Sequence, residues 1–309
     1  MPTVLITGPA GLVGRHVVQE ATLRGIPLTL MSHRRPVPAP GPGHRTVSAD
    51  LATPTSLHGI CDGVDVVLHC ASHIGGALEA NKAVNARGTR ALVDEARRAG
   101  VSRILYVSTA SVYGRGTFRN TDPSRLVRNP GSPTSLTRAA AEDAILDAGG
   151  IVLRPHLVYG EGDTWVVPSL TRMLRTLPGT VEGWTARMSV ISVRDLARLV
   201  VSAGLAPAAD LTDSTYHATH PAPVTVATLL RTVATCFSLP WPERDISVAR
   251  AQAHLAADGQ SSHGLDMLTT DHWFNGAPLW RDLRLTPGPD FRTDFPESSE
   301  WYRRTLLAA

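Results

Sequence analysis

A chain of 309 residues is long enough for one large α/β domain and a smaller lobe, each with its own core. Its 43% hydrophobic and 18% charged residues are an ordinary globular composition, and a net charge of +3 without any Lys/Arg-rich block argues against nucleic acid as a partner. No apolar run is long enough to span a membrane, and Cys61, Cys70 and Cys236 fit neither a disulfide framework nor a zinc ligand set, so the expectation is a cytoplasmic protein without a metal.

The chain enters an apolar strand, Thr3–Thr7, with no signal-peptide pattern before it. Thr7-Gly8-Pro9-Ala10-Gly11-Leu12-Val13-Gly14 follows and opens a helical pattern over Leu12–Arg24. Gly8 permits a tight turn, Gly11 lets backbone approach a pyrophosphate, and Gly14 lets the helix sit close to the sheet. The helix N-terminus adds free N–H groups and a positive dipole end. Gly8, Ala10, Gly11, Leu12 and Val13 are therefore expected to touch a bound dinucleotide.

The second strand, Leu28–Met31, bears on which dinucleotide. An Asp or Glu about 20 residues beyond the glycines would grip a ribose 2′-hydroxyl. Here the strand runs into Ser32-His33-Arg34-Arg35, with no carboxylate. An acid would repel a 2′-phosphate, whereas arginine can bind it with two N–H groups. Ser32, His33 and Arg34 thus point to NADP(H), although a solvated turn would read the same way. Pro36–Gly43 is a loop too rich in breakers for a helix.

Further strands are expected at Thr46–Ala49, Val64–Cys70, Arg103–Ser108 and Ile151–Arg154, with a helix over Asn85–Ala99 among them. Strands alternating with helices imply βαβ units and a Rossmann-type, doubly wound parallel sheet. After about residue 160 the composition changes: all six tryptophans and four of the five phenylalanines lie in the second half. The expected division is a dinucleotide-binding domain over 1–160, rejoined by about 186–210, and a smaller irregular substrate lobe over 161–309. The aromatics either pack that lobe's core or line a pocket for a large flat substrate.

At this point the residues resemble a family. TGxxGxxG is the glycine pattern of the extended short-chain dehydrogenases/reductases. Asp50-Leu51, His69-Cys70-Ala71-Ser72, Asn85-Ala86-Arg87-Gly88-Thr89, Tyr106–Gly114, Leu153–Gly160 and Val193–Ala197 match its later motifs. The resemblance implies the fold and a nicotinamide cofactor. It implies contacts to that cofactor from Asp50, Leu51, Cys70, Ala71, Ser72, Pro155, His156 and Leu157. It also implies catalytic roles for Thr109, at the family's Ser/Thr position, and for Asn85.

One segment departs from the pattern. The family's PYxxSKxxAE is here Pro133-Thr134-Ser135-Leu136-Thr137-Arg138-Ala139-Ala140-Ala141-Glu142, so Thr134 stands for the tyrosine and Arg138 for the lysine. Lys82 is the only lysine in the chain, and the residue four before it is Leu78, so no shifted copy rescues the motif. Threonine has no accessible pKa near neutrality, while arginine can still hold a ribose but stays protonated. Losing a positioned general acid costs about 10²–10⁴-fold. A carbonyl already polarised by its own neighbouring hydroxyl could absorb that loss. His73, His156, Tyr113 and Tyr159 are the alternative proton donors.

Three readings follow. The first is an NADPH-dependent ketoreductase working without the usual acid. The second is a non-catalytic NADP-binding regulatory protein. An epimerase or dehydratase fits least, because transient oxidation of a hydroxyl needs a base. The first reading resembles the atypical angucyclinone ketoreductases, and implies an aromatic polyketide ketone as the small-molecule partner.

Overall fold

Short aliphatic runs buried on both faces build the centre of the molecule. In β1 (Val4–Thr7), β2 (Leu28–Ser32) and the strand Val66–His69, every residue is buried, with no alternation. That pattern belongs to a parallel sheet covered by helices on both sides. The computed structural model describes residues 1–38 and 41–307, so two positions of the proline-rich loop, 39 and 40, lie outside the described residues.

The remaining strands of the central sheet are β3 (Arg45–Ser48), β4 (Val66–His69), β5 (Arg103–Val107), β6 (Ile151–Arg154) and β7 (Thr215–His217). Their order is β7-β6-β5-β4-β1-β2-β3, and every neighbouring pair is parallel. This is a Rossmann-like α/β sheet. The chain winds outward from β1 to β3, then crosses back to β4 on the other side of β1. A crevice opens where the winding reverses, at the carboxyl ends of β1 and β4. Six strands were expected; β7 has only three residues and arrives beyond the other motifs, so it carries no local signature.

Four helices matter to the crevice: α1 (Leu12–Leu23), α2 (Thr89–Arg98), α3 (Pro133–Leu146) and α4 (Val193–Leu205). The stretch expected as one helix over Asn85–Ala99 is instead a π-helical segment, Lys82–Gly88, running into α2. Gly88 shows why no larger residue fits there: a Cβ would lie 2.5 Å from the carbonyl oxygen of Leu51. Helix α4 comes from the second half of the chain, yet packs on α1 and beneath β4 and β5. Val200, Val201 and Trp280 belong to the same buried cluster as Val4 and Leu30.

The smaller lobe has a separate apolar cluster that includes Val167, Trp184, Leu229, Phe295 and Tyr302. It also draws on the first half, because Phe118–Thr121 pairs in parallel with His272–Phe274 in a second, four-stranded sheet. Among the six tryptophans, Trp184 and Trp280 are buried and Trp165 is exposed. No helix among the described residues is long and apolar enough to cross a membrane.

Candidate functional site

The turn after β1 builds the first wall of the site. Gly8 adopts φ +67°, open to glycine at little cost, and a Cβ on it would lie 2.8 Å from the Cα of Ala71. A Cβ on Gly14 would lie 2.0 Å from the carbonyl oxygen of Gly8, so Gly14 makes room for the turn itself. The turn is tied to β4 by the Ala71 N–H, which donates to Thr7 Oγ1 at 3.2 Å. That hydroxyl also meets Nδ1 of the buried His69, at 2.7 Å. Gly11 caps α1, whose first turn carries no acidic residue, so the positive end of the helix dipole faces the crevice undiminished.

From this turn a cleft of about 680 Å³ runs along the carboxyl edge of the sheet. Gly8, Ala10, Gly11, Leu12 and Val13 line it, as do Ser32, His33 and Arg34, Asp50 and Leu51, Cys70, Ala71 and Ser72, and Thr109, Arg138, Pro155 and His156. Asp50 lies 3.2 Å from His33 Nε2 and accepts the Ala52 N–H at 2.9 Å. Arg34 and Arg35 are exposed and make no ion pair among the described residues. A backbone cradle at a helix N-terminus, followed by a cationic loop, fits a dinucleotide: the glycine turn for its pyrophosphate and the Ser32–Arg35 loop for its adenosine end.

Two expected contacts fall elsewhere. Leu157 is 8% exposed and belongs to the core of the smaller lobe, while its neighbour Val158 lines the cleft. Successive side chains of an extended segment point to opposite faces, so only one of the two can look into the site. Asn85 is buried outside the cleft. Its side chain accepts the His73 N–H at 2.7 Å and donates to the His73 carbonyl at 2.9 Å and to Thr137 Oγ1 at 3.0 Å. It clamps the loop after β4 and offers no group to a substrate.

The two residues expected at the family's tyrosine and lysine positions are both engaged by the protein itself. Thr134 accepts the Gly75 N–H at 3.0 Å, donates to Asn81 Oδ1 at 3.1 Å, and does not line the cleft. Arg138 donates to the Val107 carbonyl at 2.5 Å and to Tyr106 Oη at 3.2 Å, leaving other N–H groups facing the cleft. Thr109 accepts the Ser111 N–H and donates to Ser111 Oγ, both at 3.1 Å. Tyr113 Oη lies 2.7 Å from His217 Nε2 and 2.8 Å from Arg154 Nη1, in a buried chain that continues to Glu142. Tyr159 donates to Asp294 at 2.9 Å. Neither tyrosine lines the cleft.

A second cavity of about 660 Å³ adjoins the cleft; an aromatic pocket was one of the two expectations for the second half, but its place and most of its walls were not legible in the sequence. Phe118, Phe274, His272 and Met267 give it apolar and aromatic walls; Arg115, His263 and Asp266 border it too. None of the six tryptophans lines either cavity; Trp184 and Trp280 pack in the two cores instead. His156 is the residue shared by both linings.

Comparison with known proteins agrees with this geometry. Residues 4–218, from β1 to just past β7, match the model of the "NAD dependent epimerase/dehydratase family". A 2-alkyl-3-oxoalkanoate reductase of Stenotrophomonas maltophilia is 25% identical over 92% of this chain and 94% of its own. A 4-hydroxy-2-methyl-3-oxo-4-farnesyl-3,4-dihydroquinoline-1-oxide ketoreductase of Stigmatella aurantiaca is 28% identical over 55% of this chain and 54% of its own. Among solved structures, the Bordetella bronchiseptica enzyme WbmH in complex with NAD+ superposes with a TM-score of 0.78 at 19% identity, covering 98% of this chain and 99% of that one.

Proposed function

Because the chain belongs to the NAD dependent epimerase/dehydratase family and is an NAD(P)-binding oxidoreductase of it, we propose that it is an NADPH-dependent ketoreductase whose substrate is an aromatic polyketide ketone of the angucyclinone kind. One observation carries the reading. The cleft has its phosphate cradle, yet the tyrosine and lysine positions hold Thr134 and Arg138, and the threonine hydroxyl is turned away onto Asn81.

Epimerases and dehydratases oxidise a hydroxyl transiently and need a base for its proton. Nothing at position 134 can serve as one. Reduction of a ketone needs the oxygen stabilised while it gains charge, and then a proton, which the substrate or solvent water can supply. The cofactor, when bound, supplies the hydride. Gly8, Gly11 and the start of α1 would hold its pyrophosphate, and Arg138 its nicotinamide ribose. Arg34 would hold the 2′-phosphate, since β2 ends without a carboxylate. Phe118 and Phe274 offer a flat molecule aromatic faces beside the cleft.

A hydroxyl adjacent to the ketone can polarise the carbonyl from within the substrate, which is the function the missing tyrosine would otherwise have. The name of the S. aurantiaca relative sets a ring ketone beside a hydroxyl, on a dihydroquinoline. The test is NADPH consumption with polycyclic aromatic ketones, followed by absorbance. Turnover with a hydroxylated aryl ketone is the expected result, and its absence across a panel of such ketones overturns the reading.

A further inference from the structure

A ketone oxygen gaining charge has two lone pairs, and a neighbouring phenol can serve only one. The second needs a donor from the protein. The obvious hydroxyls are committed: Thr109 to Ser111, Thr134 to Asn81, Tyr113 to His217 and Arg154, and Tyr159 to Asp294. Arg138 lines the dinucleotide cleft but not the second cavity, and His73 likewise.

His156 differs from all of these. It is the one residue lining both the dinucleotide cleft and the aromatic cavity. The ring is only partly buried, and neither of its nitrogens has a hydrogen-bonding partner among the described residues. A polar ring left without partners in the wall between two cavities requires an explanation, and a ligand group is one. The ring is held in place by stacking on His272, with centroids 5.7 Å apart and planes inclined 17°, and by the edge-on Phe274 at 5.5 Å. His272 is itself anchored, through Nδ1, on the Thr270 carbonyl at 2.9 Å.

We propose that His156 donates a hydrogen bond from its imidazole to the ketone oxygen of an aryl ketone seated across the two cavities. This rests on the reductase reading above and adds a protein donor to the substrate's own phenol. His156 gives up no proton. Burial, with His272 and His217 nearby, pushes its pKa down to about 3, so the ring stays neutral and acts as a donor rather than an acid. Its contribution is a dipole already oriented where charge develops.

The experiment compares wild type, His156→Phe and His156→Gln with NADPH and a tetralone carrying a hydroxyl peri to its ketone. Phenylalanine keeps the stack on His272 but removes the donor; glutamine restores an N–H. His156→Phe should lower kcat about 10²-fold, by far more than it changes KM or NADPH affinity, and His156→Gln should recover to within about tenfold of wild type. A second readout needs no turnover. In protein with 13C-labelled histidine, the His156 signal (identified by its loss in His156→Phe) should shift on titration with the tetralone. It should not shift with tetralin, which lacks the carbonyl. Equal response to both ligands, or His156→Phe turning over within about threefold of wild type, overturns the proposal. If wild-type protein reduces no aryl ketone, the reductase reading fails, while the titration still decides whether His156 meets the carbonyl.

Discussion

Thr134 donates its hydroxyl proton to Asn81 Oδ1 at 3.1 Å, and Asn81 in turn donates to the carbonyl of Gly75 at 2.6 Å. The Gly75 N–H closes the ring by donating back to Thr134 at 3.0 Å. The side chain at the family's catalytic tyrosine position is thus part of the bracing for the loop after β4. Thr134→Val removes that bracing but no proton donor, and should keep turnover within about tenfold of wild type, where loss of a true general acid costs about 10²–10⁴-fold. Steady-state kinetics beside a cofactor titration decide it. Collapse of turnover with unchanged NADPH binding would put Thr134 into the chemistry.

Cofactor preference follows from the end of β2. No carboxylate stands at Ser32–Arg35, and Arg34 is exposed at the edge of the cleft. A charge-assisted contact to the 2′-phosphate contributes about 1.5–3 kcal/mol, so NADPH should bind at least about tenfold more tightly than NADH. Arg34→Ala should narrow that gap by weakening NADPH alone. Fluorescence titration of both cofactors is the measurement, and equal affinities in the wild type would reject the assignment.

How much of this was legible depended on the range of the interactions. The glycine turn could be read because its geometry is local: Gly8 needs a positive φ, and Gly14 must clear a carbonyl six residues earlier. Leu157 could not be assigned correctly, since its direction depends on where β6 ends and the next extended segment begins. The place of the second cavity could not be read for a different reason. Phe118, His156 and His272 lie far apart in the chain and meet only because Phe118–Thr121 leaves the first half to pair with His272–Phe274. No periodicity reports a pairing between segments so distant.

Buried histidines make the fold acid-sensitive. Burial is the largest cause lowering the pKa of His16, His69, His156, His217 and His272, and it pushes His69, His156 and His217 to about 3. Unfolded, each would titrate near 6.5, so between about 6.5 and 3 the unfolded chain binds more protons than the folded one. Stability contributed by these groups is therefore fully present above neutrality and declines as pH falls. The slope reaches about 1.4 kcal/mol per pH unit for each of His69, His156 and His217. Urea unfolding between pH 7.5 and pH 5, above the range of ordinary carboxylates, should show the decline, and His217→Gln should make it shallower. A flat profile across that window would contradict the burial of neutral rings.

The substrate itself should carry the chemistry that the enzyme lacks. Reduction of a ketone builds negative charge on its oxygen, and on the reading that Thr134 and Arg138 replace the family's tyrosine and lysine, no such pair stands ready to neutralise it. A phenol beside the ketone donates an internal hydrogen bond that needs no ordering on binding, and proximity of that kind can offset several kcal/mol of barrier. Its proton can pass to the new alkoxide, leaving a phenolate that water reprotonates. Methylation of that phenol leaves the shape almost intact while removing the donor. Two peri-substituted tetralones, one hydroxylated and one methoxylated, should therefore differ by about 10²-fold or more in kcat and much less in KM, because the internal bond strengthens as charge develops. An enzyme-borne acid would predict near-equal kcat for the pair. Equal turnover would then discard assistance by the substrate and leave the protein's own donors, His156 foremost, to account for the rate.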